Sequence, residues 1–262
     1  MDLLELEHLT LKRPRLRRRW RWFHHGVESE ILIDDLSLTL EVGSSLSLVG
    51  ADESGLLALT FAILRLEGVS SGRVIFGGID LTSLNDRRFR PVRRRMQAVF
   101  PDRLGQLTPD QTVGEAFREV LGLWHRRESR DRWHERVEAV MIACGLPEAV
   151  RDLYPVELDA VERQQVALAR ALLTDPALLI CHGLSAGLDA VQQAELINLV
   201  RRLREDFRLT LLVMTDDLAV AHHLGDDIGV LHQGRLLELG RADLLVSRPE
   251  HDYTRRLVSC SV

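Results

Sequence analysis

Residues 46–66 read Leu46-Ser47-Leu48-Val49-Gly50-Ala51-Asp52-Glu53-Ser54-Gly55-Leu56-Leu57-Ala58-Leu59-Thr60-Phe61-Ala62-Ile63-Leu64-Arg65-Leu66. The pattern predicts an apolar strand over 45–49, a turn bounded by two glycines, and an apolar helix over 55–66. A phosphate-binding loop of the form G-x-x-x-x-G-K-[ST] has this frame, with lysine for the β- and γ-phosphates and a hydroxyl for Mg²⁺. Leu56 and Leu57 occupy those two positions. The only lysine of the chain is Lys12, so no small shift of alignment restores the missing cation. The scaffold of a nucleotide site is present without its chemistry.

Outward from this segment, strands alternate with helices. Strands are predicted over 3–11, 31–40, 72–76, 177–181, 210–214 and 228–231. Helices are predicted over 84–95, 160–173, 191–207 and 218–224, and residues 112–153 have a helical pattern throughout. This order implies an α/β fold with a largely parallel, P-loop-type sheet, an antiparallel β part and a helical insertion. The expected division is an α/β core over 1–110 and 156–240, a helical subdomain over 111–155 and a tail over 241–262.

The chain has 262 residues, 45% of them hydrophobic and 28% charged, which suits an ordinary globular domain. No apolar stretch reaches transmembrane length, and no signal peptide is expected after Met1. Cys144, Cys181 and Cys260 are far apart, which argues against a disulfide framework or a zinc site and suits a reducing cytoplasm. The formal charge of −5 disfavours nucleic acid as a partner. Thirty-three arginines against one lysine read as a genomic composition bias. Seven basic residues lie within 12–21, followed by Trp20, Trp22 and Phe23 among residues 20–23. That run reads either as a patch for anionic lipid or a neighbouring subunit, or as a solvated loop.

Several further segments carry a resemblance. Arg163-Gln164-Gln165-Val166-Ala167-Leu168-Ala169-Arg170-Ala171-Leu172 resembles the helix that follows the signature motif of ABC transporter ATPase subunits. Residues 177–181 resemble the Walker B strand of that family, and Gly187-Leu188-Asp189 the end of its D-loop. The tail Pro249-Glu250-His251-Asp252-Tyr253-Thr254-Arg255-Arg256-Leu257 and the segment Tyr154-Pro155-Val156-Glu157-Leu158 are similar to the oligopeptide, dipeptide and nickel importer branch. The resemblance implies an ABC-ATPase-like fold that pairs head to tail, with ATP between the Walker motifs of one subunit and the signature of the other.

Set against that family, the nucleotide-site positions are degenerate. Gly50 and Gly55 remain, but Leu56 and Leu57 replace lysine and the hydroxyl, and Asp52 and Glu53 add negative charge beside the loop amides. One unit charge repelled at ~4 Å and an effective dielectric of about 20 amounts to roughly 4 kcal/mol. The Walker B strand ends in His182-Gly183 instead of Asp-Glu. His182 reads either as a transition-metal ligand or as a satisfied histidine, and Mg²⁺ prefers oxygen. Pro101 stands where the Q-loop glutamine is expected, and Gln97 is the branch's other glutamine. Asp216 replaces the switch histidine, and Arg13 the adenine-stacking aromatic. The signature reads Leu158-Asp159-Ala160-Val161-Glu162, in which Asp159 would present a charge of the wrong sign and Val161 would add bulk. Asp189 closes the D-loop.

These departures imply a non-catalytic ABC-type subunit of a peptide- or nickel-type importer. Its partners would be permease subunits and either an ATPase-competent paralogue or a second copy. Mg-ATP, the family's cofactor, is not expected to bind. The location implied is cytoplasmic, peripheral to the inner face of the plasma membrane through the permeases. Two alternatives stay open: residual nucleotide binding or hydrolysis by non-standard groups, and a free-standing regulatory protein. Leu104, Leu107, Val113, Phe117, Leu121 and Trp124 are read either as a permease-docking groove or as internal core, four of them having one-face helical spacing.

Overall fold

The computed structural model describes residues 1–14, 29–51, 54–101 and 105–260. Strands β1 (Asp2–Pro14) and β2 (Ser29–Glu41) pair antiparallel, with Leu4 opposite Leu40, Leu6 opposite Leu38 and Leu9 opposite Leu36. Leu4 and Leu6 are buried, and so are Leu9 and Leu11. Inward positions therefore change from even to odd at His8. That residue is left-handed (φ 48°), as is Asp35 on the facing strand (φ 52°). A register irregularity here keeps every leucine on the core face, where an unbroken alternation would turn half of them to water.

Strand β3 (Ser45–Val49) leaves for a second sheet. Strand β4 (Ser71–Phe76) pairs with the free side of β1, and β5 (Ile79–Asp80) returns after the Gly77-Gly78 turn. The antiparallel sheet has the order β2-β1-β4-β5.

The second sheet adds β6 (Met96–Val99), β7 (Leu178–His182), β8 (Thr210–Thr215), β9 (Asp227–His232) and β10 (Arg235–Arg241), in the order β10-β9-β3-β8-β7-β6. All neighbours are parallel except β10 on β9. Burial on both faces is visible residue by residue. Leu179, Cys181, Leu211 and Val213 pack with the helical side. Leu178, Ile180, Leu212 and Met214 pack with the antiparallel sheet and α1 (Leu56–Ile63). Successive strand residues point to opposite faces, so continuous apolar runs signal a sheet covered on both sides.

The helices are α2 (Asp86–Arg94), α3 (Val113–Trp124), α4 (Arg130–Ala143), α5 (Ala160–Leu172), α6 (Ala190–Phe207), α7 (Leu218–Leu224), α8 (Ala242–Ser247) and α9 (Asp252–Cys260). The predicted elements are present, with ends shifted by a few residues. Helix α1 is shorter than 55–66, because the chain turns at Arg65 (φ 54°). Strands β5, β6 and β10 and helices α8 and α9 go beyond the sequence reading. β6 has four residues directly after an arginine run, and β10 is a half-exposed edge, so neither carries a strong apolar signal.

A charged joint ties the helical insertion to the sheet. His125, buried at the end of α3, places Nδ1 2.7 Å from Glu128 and Nε2 2.9 Å from the Leu173 carbonyl. Arg136 of α4 donates to Glu128 at 2.7 Å and to Asp175 at 3.0 Å. Arg94 of α2 reaches Asp175 at 3.0 Å and the Thr174 carbonyl at 2.9 Å. Hydrogen bonding from Arg136, then from His125, lowers the Glu128 carboxyl to about 2.

Candidate functional site

Because β3, β8 and β7 are adjacent and parallel, their carboxyl ends open together, the place where α/β sheets receive ligands. A cavity of roughly 430 Å³ lies there. Gly50, Leu56, Leu57, Pro101, His182, Gly183 and Asp216 all line it, joined by Ala51, Ala186, Met214 and Thr215. Seven positions singled out in the sequence thus meet around one space, drawn from segments up to 166 residues apart. The lining described contains no lysine or arginine.

The two glycines answer to packing. A Cβ on Gly50 would fall 2.5 Å from Ser54 Cβ and 2.6 Å from the Leu231 carbonyl oxygen. Gly55 has φ 92°, and a Cβ there would lie 2.3 Å from the Leu32 carbonyl oxygen. The turn is therefore maintained by its own backbone neighbours, whatever occupies the cavity. Helix α1 begins at Gly55 with no side-chain cap and no acidic residue in its first turn. Its amino end keeps the positive dipole pole that suits an anion, with no lysine or arginine among the described residues that line the cavity. Leu56 is 6% exposed and belongs to the core, whereas Leu57 is 40% exposed.

His182 is tied to this helix. The Thr60 hydroxyl donates to the Leu56 carbonyl at 2.9 Å, and His182 Nδ1 lies 3.1 Å from the same hydroxyl oxygen. The hydroxyl proton is already used, so Nδ1–H donates to Thr60. The ring also packs at 5.9 Å against Phe100. Of the two sequence readings, the satisfied histidine fits this geometry. Among the described residues no three His, Cys, Asp or Glu side chains group as a metal would need. Gly183 is left-handed (φ 55°), and its amide donates to the Met214 carbonyl at 2.8 Å. A Cβ at Gly183 would meet the Pro101 ring at 3.6 Å. Asp216 is exposed at the end of β8. Its neighbour Asp217 caps α7 and accepts from Gln193 at 3.1 Å.

The remaining predicted positions do not line the cavity. Asp159 and Glu162 form a reciprocal cap on α5: Asp159 accepts from the Glu162 amide at 2.8 Å, and Glu162 from the Asp159 amide at 2.9 Å. Asp159 is exposed and its carboxylate caps its own helix, so the negative charge sits at the amino end of α5 while also accepting an amide there. The reading of Val161 as projecting bulk is corrected. It is 8% exposed and turned into its own subunit. Ala160 between them is half-buried. Asp189 caps α6 through the Val191 and Gln192 amides, both at 2.9 Å. The D-x-x-E spacing is a capping signal legible in the sequence.

The docking-face reading is corrected in its main residues. Val113, Phe117 and Leu121 are internal core, and Leu107 is buried with them. Trp124 alone is partly exposed, with the Arg90 guanidinium 6.0 Å from its ring. Leu104, Asp52, Glu53 and most of the basic run at 12–21 lie outside the described residues. Lys12 and Arg13 lie near the end of β1, which runs to Pro14.

A covered parallel sheet, a strand–turn–helix unit at its carboxyl edge and an antiparallel side sheet define a nucleotide-binding-cassette fold. The chain belongs to the ABC transporter family, whose model matches residues 33–182. It is 34% identical over 239 residues to the oligopeptide transport ATP-binding protein OppF of Escherichia coli, covering 91% of this chain and 72% of that one. It is 32% identical over 259 residues to a probable peptide ABC transporter ATP-binding protein, y4tS, of Sinorhizobium fredii, covering 99% and 72%. Among solved structures, the dimeric bacterial ABC transporter cassette MJ0796 matches with TM-score 0.77 at 22% identity, covering 92% of this chain and 99% of that one. The cbiO1 protein of Clostridium perfringens matches with TM-score 0.80 at 20% identity, covering 95% and 92%. The two structural matches bear on the fold alone.

Proposed function

We propose that this chain is a non-catalytic ABC-type subunit of a peptide importer, with an architectural role beside its permeases and an ATPase-competent paralogue or a second copy. The observation that carries this reading is the cavity lining. The positions that would hold phosphate, Mg²⁺ and the attacking water are Leu56, Leu57, His182 and Gly183. A leucine in place of lysine removes the charge that clamps the phosphates. Leucine and histidine in place of oxygen ligands do not suit Mg²⁺, and a glycine positions no water. The residues present do not fit Mg-ATP. The self-capped end of α5 adds a second support, since two carboxylates already hold amides of the helix end that would face a partner's nucleotide.

Peptide as the transported solute is taken from the names of the relatives. Among the described residues no helix is long and apolar enough to cross a membrane, so spanning the bilayer falls to the permeases. A second reading is favoured by those same names, since the relatives are called ATP-binding proteins. In that reading the cavity binds nucleotide through non-standard groups, chiefly the free amino end of α1. Calorimetry of the purified chain with Mg-ATP separates the two. The proposal expects no binding and no hydrolysis above background. A dissociation constant below about 100 µM, roughly −5.5 kcal/mol, transfers the case to the second reading. Co-purification with candidate permeases tests the transporter role, and a wild-type chain that stays wholly apart from them sinks it.

A further inference from the structure

We propose that α2, together with the end of α3, is a docking surface for the anionic headgroups of a phospholipid bilayer. The inference does not rest on the state of the nucleotide cavity. Arg87, Arg88, Arg90, Arg93 and Arg95 lie in or directly after this one helix, and all five are exposed. None of them forms an ion pair among the described residues; Arg94 alone of the run does, with Asp175. Phe89 and Val92 are the only buried residues of α2, so the arginines lie on its solvent-facing side. Three of these arginines lie over aromatic rings, Arg93 at 5.0 Å from Phe89, Arg95 at 5.5 Å from Phe76 and Arg90 at 6.0 Å from Trp124. Such stacking orients a guanidinium and leaves its charge uncompensated.

Folding does not call for this arrangement. Arg87 and Arg88 sit at the amino end of α2, where the helix dipole disfavours positive charge. The chain as a whole carries −5, so the basic face is local. Beside it, Leu123 is 51% exposed and Trp124 is partly exposed, and the chain continues into exposed Arg126 and Arg127. Arginine with a neighbouring tryptophan and leucine is the composition of a bilayer interface: guanidinium forks pair with phosphate, and the apolar groups enter the headgroup layer. An acidic protein segment would answer the guanidinium groups alone, whereas a bilayer interface also takes up the tryptophan and leucine.

The test is sedimentation of the full chain with phosphatidylcholine vesicles, with and without about 30% phosphatidylserine, at physiological salt. Binding is expected only to the anionic vesicles. Replacing Arg87→Gln, Arg88→Gln and Arg90→Gln together should lower the partition coefficient about 100-fold, at about fivefold per arginine. Arg201→Gln with Arg202→Gln, exposed on α6, should change it several-fold at most. Circular dichroism melting checks that both variants stay folded. The proposal is overturned if wild type ignores anionic vesicles, or if the triple variant binds them as wild type does, which would place the contact elsewhere. Capture by an acidic peptide with no vesicle binding overturns it in favour of a protein partner.

Discussion

The amino ends of α1 and α5 are finished in opposite ways. Helix α1 begins bare. Gly55 offers no side chain, the first turn holds no acid, and leucines stand where a cation and a hydroxyl would. Helix α5 begins closed, with Asp159 and Glu162 each accepting the other's backbone amide. The first end keeps its amides and lacks the partner charge. The second has used its amides on carboxylates of its own. The bare end faces an open cavity, and the closed end is a reciprocal helix cap. The two are distinguishable by substitution.

The largest effect is expected at the bare end. Leu56→Ala removes a core side chain and should cost about 2–4 kcal/mol in urea unfolding. Leu57→Ala, one residue on but 40% exposed, should stay below about 1 kcal/mol. Equal losses would show that Leu56 is not a core residue and that the end is not apolar in the way described. Leu56→Lys with Leu57→Ser should not yield ATP turnover, because His182 and Gly183 remain.

A carboxylate whose value to folding is electrostatic sets the scale for the closed end. Glu128 is lowered to about 2, below its ordinary value of 4.5. Its contribution is therefore present above about pH 4.5 and is lost as the pH falls toward 2. Glu128→Gln should destabilise by roughly 1–2 kcal/mol at neutral pH, partial exposure having reduced the effect. The gap between wild type and variant should close in acid. A gap that persists at low pH would mean that packing, not charge, holds the joint.

At the closed end, Asp159→Ala should cost about 1 kcal/mol as a lost cap. Asp159→Ser with Glu162→Gln keeps a reciprocal cap while removing both charges, and should cost under about 0.5 kcal/mol. If the neutral pair destabilises as much as alanine, the carboxylates do more than cap. The smallest effect is a labelling pattern. Burial pushes the Cys144 and Cys181 thiols up to about 12, while Cys260 is exposed. Native protein should take one alkyl group, at Cys260, by mass spectrometry. Cys181 directly precedes His182, so its labelling would report that the strand behind the cavity opens.

The apolar alternations were legible in the sequence because buried strands and helix faces write themselves as runs and periods. The convergence of Gly50, Leu56, Pro101, His182 and Asp216 was implied by the resemblance to the ABC family, and the structure brings them to one cavity. What escaped was set by distance or direction. The His182–Thr60 contact joins residues 122 positions apart and has no local signature. The inward turn of Val161 depends on how α5 enters the core. Phe117 and Leu121 show the limit of a helical stripe, since the same spacing serves a groove or an interior, and here it serves the interior. The D-x-x-E of the α5 cap was in plain view and was read for its charge before its geometry.

Gly183 and Pro101 together have a historical consequence. A glutamate placed at 183 would have to adopt φ 55° or force the turn to rebuild, at about 1–2 kcal/mol. The proline ring beside it would also still stand where a glutamine is needed. On the proposed non-catalytic reading, neither substitution alone supplies both groups, and the one at 183 lowers stability. On that reading the corner acts as a ratchet: a return to hydrolysis one change at a time would have to pass through a less stable intermediate.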